Sequence, residues 1–411
     1  MHELAWFDEV LLAKGQEGHG PDGGATGSVR RFIQQDVSGW YVTGHRRIRL
    51  LLTDPRLTSA RTAASADLRA RCPEMFGGGG TSGRRASLIE LDGPAHTRLR
   101  TTLGRAITPR VLLRLRARSQ DEADRLLSGF AKRGSVELVS EYVRPLAVAT
   151  TMELLGVPLK DHERLTTHVL DGALTGPERE AHLAELQGYF AALVAVKRAG
   201  EGDGVGHGDT DLLRNLAASR TGDDPLTDDE ICDVAQLLLI AGTYTLPALT
   251  AGAVWQLLAD EELGARLAAA PTTAPCPDVA TVVDELLRRT SVGEDAVVRF
   301  AAEDLEIDGV AVAAGDLVLL DLAAADHDPA VFDEPARLCP RRAPNPHLAF
   351  GQGLHYCLGA GLVRTQLTVA LGALLDRCGS LRPVAGDGAV TWRHQGNGAW
   401  PTRLEVTFVE R

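Results

Sequence analysis

The feature that most constrains the fold is a long apolar segment that has the pattern of one buried helix. It runs over residues 234–258 and is interrupted by Thr243–Thr245 and by Pro247. A capping box begins it, because Thr227 is followed three residues later by Glu230. A membrane span would not carry these polar interruptions, so the segment is predicted to be the core helix of a folded body.

The rest of the chain is predicted to be mainly helical. Apolar periodicity and end signals predict helices over residues 44–53, 95–128, 140–155, 160–173, 178–199, 227–259, 278–289 and 359–377. Strand-like pieces are short and late ("VVRFA", "LEIDGVAVAAGDLVLLD", "LEVTFV"), which predicts a small hairpin sheet. We therefore expect a single, mainly α domain with a minor β part over residues 1–411, of which about 1–28 form a flexible N-terminal segment. Three glycine-rich stretches, at 17–27, 77–83 and 200–211, are predicted to be loops.

Composition excludes several classes of protein. The net charge of −12 argues against nucleic acid as the main partner. Six scattered cysteines without a CxxC pair are typical of a reduced, cytoplasmic protein. The N-terminus lacks the basic and apolar regions of a signal peptide, so neither secretion nor a membrane is expected.

The most informative short stretch is "HLAFGQGLHYCLGAGLVRTQL", residues 347–367. Cys357 follows a glycine-punctuated loop and precedes a predicted helix, a position that favours the thiolate. Gly351, Gly353 and Gly359 would let the backbone approach a large flat group. A dinucleotide-binding interpretation fails because no strand precedes the loop, and a zinc site fails because no second ligand pair has metal spacing. The cysteine is therefore predicted to be a metal ligand or a nucleophile.

This stretch resembles the haem-binding loop of the cytochrome P450 family. "FGQGLHYCLGAG" matches the pattern FGxGxHxCxG from Phe350 through His355 and Cys357 to Gly359. The resemblance implies the cytochrome P450 fold and haem b, with Cys357 as the proximal thiolate ligand of the iron.

Further motifs occur in the family's order. The resemblance implies a buried network of Glu285 and Arg288, from the Glu-x-x-Arg motif, with Arg342 as its third member. It also implies contacts to the haem propionates, and the residues expected there are His96 and Arg100 of "HTRLR", Arg299 and His355.

The core helix contains the family's oxygen-activating segment in an altered form. The usual pattern is Ala/Gly-Gly-x-Asp/Glu-Thr, in which the acid and the threonine deliver protons, whereas this chain has Ala241-Gly242-Thr243-Tyr244-Thr245. Gly242 is expected to leave room for dioxygen, and Thr245 aligns with the usual threonine. Tyr244 replaces the acid, and a phenol with a pKa near 10 is a poorer proton relay than a carboxylate.

Pro247 lies close to this segment. It cannot donate a hydrogen bond to the carbonyl of Thr243, so the helix is expected to bend or open there. The released carbonyl and the threonine hydroxyls could hold water that partly replaces the acid. Alternatively, Pro247 is a tolerated kink and Tyr244 faces outward.

The resemblance implies an oxidoreductase and leaves its chemistry open. One hypothesis is a monooxygenase that tailors a secondary metabolite. Another is oxidative crosslinking of aromatic residues in a short, possibly cationic peptide without oxygen insertion, because family members with altered relays include such enzymes. A non-catalytic haem gas sensor is disfavoured by the glycine, the threonine and the complete set of propionate contacts.

Substrate and partner are less constrained. Glu294, Asp295 and Ala296 fall in a segment that the resemblance places in the pocket wall, and carboxylates there would favour a cationic substrate, unless they form a solvated turn. No flavin or iron–sulfur segment is fused to the chain, which implies a ferredoxin and a ferredoxin reductase as electron donors. Arg341, Arg364 and the arginines of 98–110 could form their docking patch or be ordinary surface charge.

Overall fold

A computed structural model of the chain describes residues 28–34, 37–72, 86–171, 179–200, 211–218, 225–260, 263, 277–290, 296–386, 388–395 and 398–411. The described residues form two compact units. The first lies within Met1–Thr97, Leu287–Leu358 and His394–Ala399, and the second within Arg98–Leu286, Gly359–Arg393 and Trp400–Arg411. The single domain expected over the whole length stays a prediction, and the predicted glycine-rich loops lie almost entirely outside the described residues.

The helices, in chain order, are α1 (His45–Leu51), α2 (Ala66–Arg71), α3 (Gly93–Ala106), α4 (Pro109–Phe130), α5 (Arg144–Leu155), α6 (His162–Asp171), α7 (Arg179–Ala199), α8 (Leu212–Ala218), α9 (Asp228–Ala259), α10 (Pro277–Arg289), α11 (Leu322–Asp326) and α12 (Ala360–Arg377). The strands are β1 (Val29–Gln34), β2 (Val37–Val42), β3 (Leu57–Thr58), β4 (Ser135–Glu137), β5 (Ala296–Ala301), β6 (Leu305–Ile307), β7 (Val310–Val312), β8 (Leu317–Asp321), β9 (Cys378–Pro383), β10 (Val390–Gln395) and β11 (Gly398–Glu410). The mainly helical chain with a minor β part is as predicted.

One predicted helix is in fact two. The single helix expected over 95–128 is wrong, because α3 ends at Ala106 and α4 begins at Pro109. Thr108 caps α4 by accepting a hydrogen bond from the Val111 amide at 3.3 Å, and Pro109 occupies the first turn. Both are ordinary signals of a helix start, so the break was readable from the sequence.

The first unit contains a five-stranded sheet with the order β1-β2-β8-β5-β3. Strands β1 and β2 form an antiparallel hairpin, and β2 pairs in parallel with β8. The late hairpin expected from "LEIDGVAV" is present as β6 and β7. The sequence-based prediction missed β1 and β2, so the sheet is larger than expected and is not confined to the late part of the chain.

The second unit is built around α9, which packs against α5 and α7. The predicted capping box is present, since the Thr227 hydroxyl accepts from the Glu230 amide at 3.2 Å. By length and composition α9 could cross a membrane, but 56% of its most apolar window is buried inside the protein. That burial is typical of a core helix. Pro247 lies inside α9, and the helix continues through it without interruption.

Candidate active site

The loop that carries Cys357 is held by its own backbone. The Gly351 amide donates to the Leu348 carbonyl at 2.7 Å, and the Cys357 amide donates to the Phe350 carbonyl at 2.9 Å. Gly353 has a φ of 78°, and a Cβ atom there would lie 2.8 Å from Thr53 Cγ2. Only glycine fits such a position, which explains part of the glycine pattern. Helix α12 begins at Ala360 with Gly359 as N-cap, so Cys357 precedes the cap by two residues.

A cavity of about 320 Å³ lies in the first unit beside this loop. Its lining residues are Leu52, Ser59, Arg61, Ile89, Glu90, Ala296, Val297, Val298, Arg299, Phe300, Leu322, Ala349, Phe350, Gly351, Gln352, His355 and Cys357. Apolar side chains, one thiol, two guanidinium groups and one imidazole thus face the same space, and the Glu90 carboxylate there is paired with Arg61. Haem is a flat apolar ring with a metal and two carboxylates, so the chemistry of this lining fits it.

Arg299 provides the clearest test of that fit. Its side chain is buried on β5, and Nη1 donates to the carbonyl of the adjacent Val298 at 2.8 Å. Within the described part of the chain no carboxylate forms a salt bridge with this guanidinium. Burial lowers the pKa of Arg299, and the more distant Asp92 only partly offsets this effect. A buried cation of this kind favours an anionic group in the cavity, as a propionate would be.

His355 is anchored by a carboxylate that the sequence-based prediction missed. Its Nε2 lies 2.8 Å from Asp92 Oδ1 and 3.1 Å from the Ser59 hydroxyl. Burial alone would raise the pKa of Asp92, but hydrogen bonds from His355, Thr58 and the Ser59 amide outweigh it and hold the pKa below its usual range. Because a carboxylate only accepts, Nε2 carries the proton and leaves Nδ1 for another partner.

The predicted propionate residues do not all come from the first unit. His96 is buried, and its ring lies 4.5 Å from that of His355, so the structure brings these two together. Arg100 belongs to the second unit. The signal for Asp92 was its place in "LDGPAHTRLR", four residues before His96, but an acid before a helix is usually a cap.

Two residues of the predicted arginine network, Arg288 and Arg342, lie over the same aromatic ring. Arg288 is buried and donates to the carbonyls of Asp326 at 2.6 Å and Pro335 at 2.8 Å. Arg342 donates to the Asp333 carbonyl at 2.7 Å, and both guanidinium groups lie within 6 Å of the Phe332 ring. Arg342 is half-buried, so the expectation that it is a buried member was wrong. Its partners are backbone carbonyls near the surface. Glu285 is buried in the second unit.

The oxygen-activating segment lies on α9 in the second unit. Thr243 donates its hydroxyl to the Leu239 carbonyl at 2.7 Å, and Thr245 donates to the Ala241 carbonyl at 2.6 Å. The predicted opening of the helix is not seen, because α9 remains helical here and both hydroxyls bond back to it. The Thr243 carbonyl still lacks the amide donor that proline cannot supply.

Gly242 has a packing role that the sequence did not predict. A Cβ atom at this position would lie 2.4 Å from the Thr151 hydroxyl oxygen and 2.6 Å from its methyl group on α5. The small residue therefore permits close packing of α9 against α5. That Gly242 also leaves room for dioxygen stays a prediction.

Tyr244 packs against a basic residue. The Arg393 guanidinium carbon of β10 lies 5.3 Å from the centre of the tyrosine ring, which is cation–π geometry. Tyr244 is half-buried, so it does not simply face outward.

The remaining predicted residues divide into two groups. Glu294 and Asp295 lie outside the described residues, whereas Ala296 is buried and lines the cavity. Of the proposed docking arginines, Arg98 pairs with Glu230 and Arg364 with Asp284. Two cations of the expected patch are thus already neutralised by partners within the second unit.

The chain is similar to characterised proteins over most of its length. Residues 273–383 match the family model described as cytochrome P450. Nocardicin C N-oxygenase from Nocardia uniformis subsp. tsuyamanensis is 36% identical over 375 residues, which cover 90% of this chain and 89% of that protein. Cytochrome P450 monooxygenase PikC from Streptomyces venezuelae is 34% identical over 369 residues, covering 86% of this chain and 81% of that protein.

A solved structure is similar to the chain over nearly the same length. The LnmA cytochrome P450 hydroxylase from the leinamycin biosynthetic pathway of Streptomyces atroolivaceus S-140 matches with a TM-score of 0.78 and 32% identity, covering 93% of this chain and 94% of that one. Identity above 30% over most of both chains, together with the cysteine loop and its cavity, shows the family. The chain belongs to the cytochrome P450 family: it has the cytochrome P450 fold and is an oxidoreductase with a haem cofactor on a cysteine thiolate.

Proposed function

We propose that this protein is a monooxygenase that tailors a secondary metabolite, with Cys357 as the haem ligand. The observation that carries the proposal is the cavity beside the Cys357 loop, which combines a thiol, an imidazole and the buried Arg299 guanidinium. The printed names of relatives support the reaction class, since one is an N-oxygenase, one a monooxygenase and one a hydroxylase.

The residues that would hold haem follow from their chemistry. Cys357 would ligate the iron, while Phe350 and Gly359 shape its loop. His96, Arg100, Arg299 and His355 would bind the propionates. Bound haem would supply dioxygen activation, in which two electrons and two protons yield one inserted oxygen atom and one water.

The protein's own part in that chemistry is proton supply and exclusion of bulk water. Thr245 is proposed to supply a hydroxyl for proton transfer, with Ala241 one helical turn before it on the same face of α9. The Thr243 carbonyl, which Pro247 leaves without an amide donor, is proposed to hold a water molecule nearby. Tyr244 is proposed to shape the site through its ring.

The substrate is proposed to be a polar small molecule. Glu294, Asp295 and Ala296 remain the candidate contacts from the first unit, and the two carboxylates would favour an amine or a guanidinium on the substrate. Nothing observed specifically favours the crosslinking alternative, because the tyrosine that suggested it has a packing role against Arg393.

Electrons are proposed to come from a ferredoxin and its reductase in the cytoplasm. Arg105 and Arg110 are exposed near the junction of α3 and α4, where an acidic partner could dock. Charge reversal of both should slow reduction of the haem and weaken the dependence of its rate on salt. Charge reversal of Arg382, exposed on β9, is the control, and an equal effect there would contradict the docking site.

Two measurements test the function. The reduced carbon-monoxide complex should show a thiolate-type Soret band that Cys357→Ala abolishes and that Cys339→Ala, at a half-buried cysteine outside the loop, leaves intact. With labelled dioxygen, the product should contain one labelled oxygen atom. Loss of two hydrogens without label would contradict insertion and indicate oxidative coupling.

A further inference from the structure

One buried acidic residue, Asp326, lies outside the family motifs. Asp326 is the last residue of α11 in the first unit, and its side chain is buried. Its Oδ1 accepts a hydrogen bond from the Leu348 amide at 2.6 Å. The adjacent Ala325 and the hydrogen-bonded Leu348 belong to one apolar core cluster with Val318 and Leu320. Burial of a carboxyl group costs free energy unless hydrogen bonds or a paired charge offset it.

Hydrogen bonds link Asp326 to the loop of the thiolate. The Leu348 amide donates to Asp326, and the Leu348 carbonyl accepts a hydrogen bond from the Gly351 amide at 2.7 Å. Between them lies Phe350, whose carbonyl accepts from the Cys357 amide at 2.9 Å. The contact with Asp326 therefore fixes the start of the segment whose other end is the cysteine.

On its other side Asp326 meets the arginine network. Arg288 donates to the backbone carbonyl of Asp326 at 2.6 Å and stacks on Phe332. The segment before Leu348 has a second anchor, because His45 Nε2 lies 2.7 Å from the Pro346 carbonyl. Asp326 and His45 thus hold the chain immediately before the loop, and Arg288 in turn holds Asp326.

We propose that Asp326 is a positioning residue for the haem ligand, transmitting the position of the Arg288 network to the Cys357 loop through the Leu348 amide. This inference rests on the proposed role of Cys357. The positioning role requires a hydrogen-bond acceptor at position 326 and does not require a negative charge. Removing the acceptor leaves a buried amide unsatisfied and releases the start of the loop.

The charges around Asp326 determine how the contact responds to pH. Burial raises the pKa of its carboxyl to about 8, and the Asp321 carboxylate of β8 acts in the same direction. The Leu348 amide, the Arg288 guanidinium and the Ala349 amide oppose this shift. Tyr41 of β2 donates to Asp321, while His327 follows on the same turn with Nδ1 at 3.0 Å from the Ala323 carbonyl. The carboxyl is therefore neutral at pH 7 and gains a buried charge in alkaline solution.

Three substitutions in the haem-loaded full-length protein test the proposal. Asp326→Ala should convert most of the carbon-monoxide complex from the thiolate-type Soret band to the thiol-type band. Asp326→Asn, which keeps an acceptor without ionising, should retain the thiolate-type band and hold it to higher pH than the wild type. Asp304→Asn is the matched control, because Asp304 also accepts a hydrogen bond from a backbone amide, that of Ala314 at 2.8 Å, but this exposed contact lies in the turn before β8.

The outcomes separate this inference from the proposed function. If the wild type has no thiolate-type band, the role of Cys357 itself is wrong. If the wild type has the band and Asp326→Ala keeps it at an unchanged ratio, even with a lower melting temperature, Asp326 is only structural and the inference is overturned. An Asp326→Asn spectrum that resembles that of Asp326→Ala would also overturn it.

Discussion

Tyr244 stands where the family keeps an acid, and its neighbour Arg393 explains how the substitution is accommodated. An acid would pair with such an arginine as an ion pair, whereas the tyrosine holds it at 5.3 Å through cation–π attraction. That attraction is worth about 0.5–2 kcal/mol, depending on exposure. The ring therefore has a use that does not involve the phenol hydroxyl as a proton relay.

Substitutions at Tyr244 and Thr245 should consequently differ in effect. Tyr244→Phe keeps the ring and should leave the yield of product per dioxygen nearly unchanged. Thr245→Ala removes the proposed proton-transfer hydroxyl and should lower that yield by about tenfold or more. The measurement is product formed against dioxygen consumed. A large loss in Tyr244→Phe would mean that the phenol hydroxyl does carry protons.

Lys197 illustrates a buried charge with a structural use. Its Nζ donates to the Gly156 carbonyl at 2.7 Å and pairs with Asp211, and both charged side chains are almost completely buried. Gly156 has a φ of 67° and ends α5, so the pair joins the ends of α5 and α7 to the start of α8.

Lys197→Met should lower the free energy of unfolding by about 3 kcal/mol, because the buried Asp211 carboxylate loses its buried partner and keeps Arg214, whose Nε lies 3.3 Å away. Chemical denaturation of the apoprotein measures this change. Arg198→Ala, at the adjacent exposed pair with Asp228, should cost less than about 1 kcal/mol. Equal costs in the two variants would contradict the importance of the buried pair.

At the scale of elements, the contact between α9 and α5 depends on one missing side chain. Gly242→Ala would place a methyl group 2.4 Å from the Thr151 hydroxyl oxygen. Overpacking of this kind costs about 1–3 kcal/mol and should appear as a lower melting temperature. The penalty should shrink in a Thr151→Ala background, which removes the hydroxyl and methyl groups in the way.

Gly188→Ala supplies the control for that experiment. Gly188 lies inside α7, and nothing is within 4 Å of the position its Cβ would take. Alanine there should stabilise the helix by up to about 1 kcal/mol. If Gly242→Ala stabilised the protein as Gly188→Ala does, the close contact with Thr151 would be refuted.

Elements also show what the sequence can and cannot predict. Strong apolar periodicity located α7, α9 and α12 to within a residue or two at most ends, because long helices carry a redundant signal. Strands β1 and β2 were missed although they form a local hairpin. The pairing that joins this hairpin to the sheet, β2 with β8, links distant parts of the chain, and no local pattern records it.

The same distinction applies to the site. The Cys357 loop was found because its glycines, histidine and cysteine lie within one short stretch of sequence. Asp92 was missed because its partner His355 is 263 residues away. The packing role of Gly242 was missed for a similar reason, since only the fold shows which atoms of α5 lie beside it. Local chemistry is readable from sequence, whereas long-range contacts require the structure.

For the whole molecule, the buried Asp326 carboxyl predicts how stability changes with pH. Its pKa rises from 3.8 when exposed to about 8 in the folded protein. Between these values the unfolded chain has released the proton that the folded protein keeps, so this group lowers stability as pH rises from about 4 to about 8. Below pH 4 it contributes nothing, and above pH 8 its cost is constant.

Asp326→Asn should therefore gain stability relative to the wild type as the pH is raised. The difference in free energy of unfolding should grow steadily between about pH 4 and pH 8 and reach a few kcal/mol, because each unit of pKa shift corresponds to about 1.4 kcal/mol. Chemical denaturation of the two apoproteins at several pH values measures it, with Asp328→Asn as the reference for a half-buried acid. A difference that is independent of pH would show that Asp326 is ionised in the folded protein at neutral pH, and the neutral hydrogen bond to Leu348 would have to be abandoned.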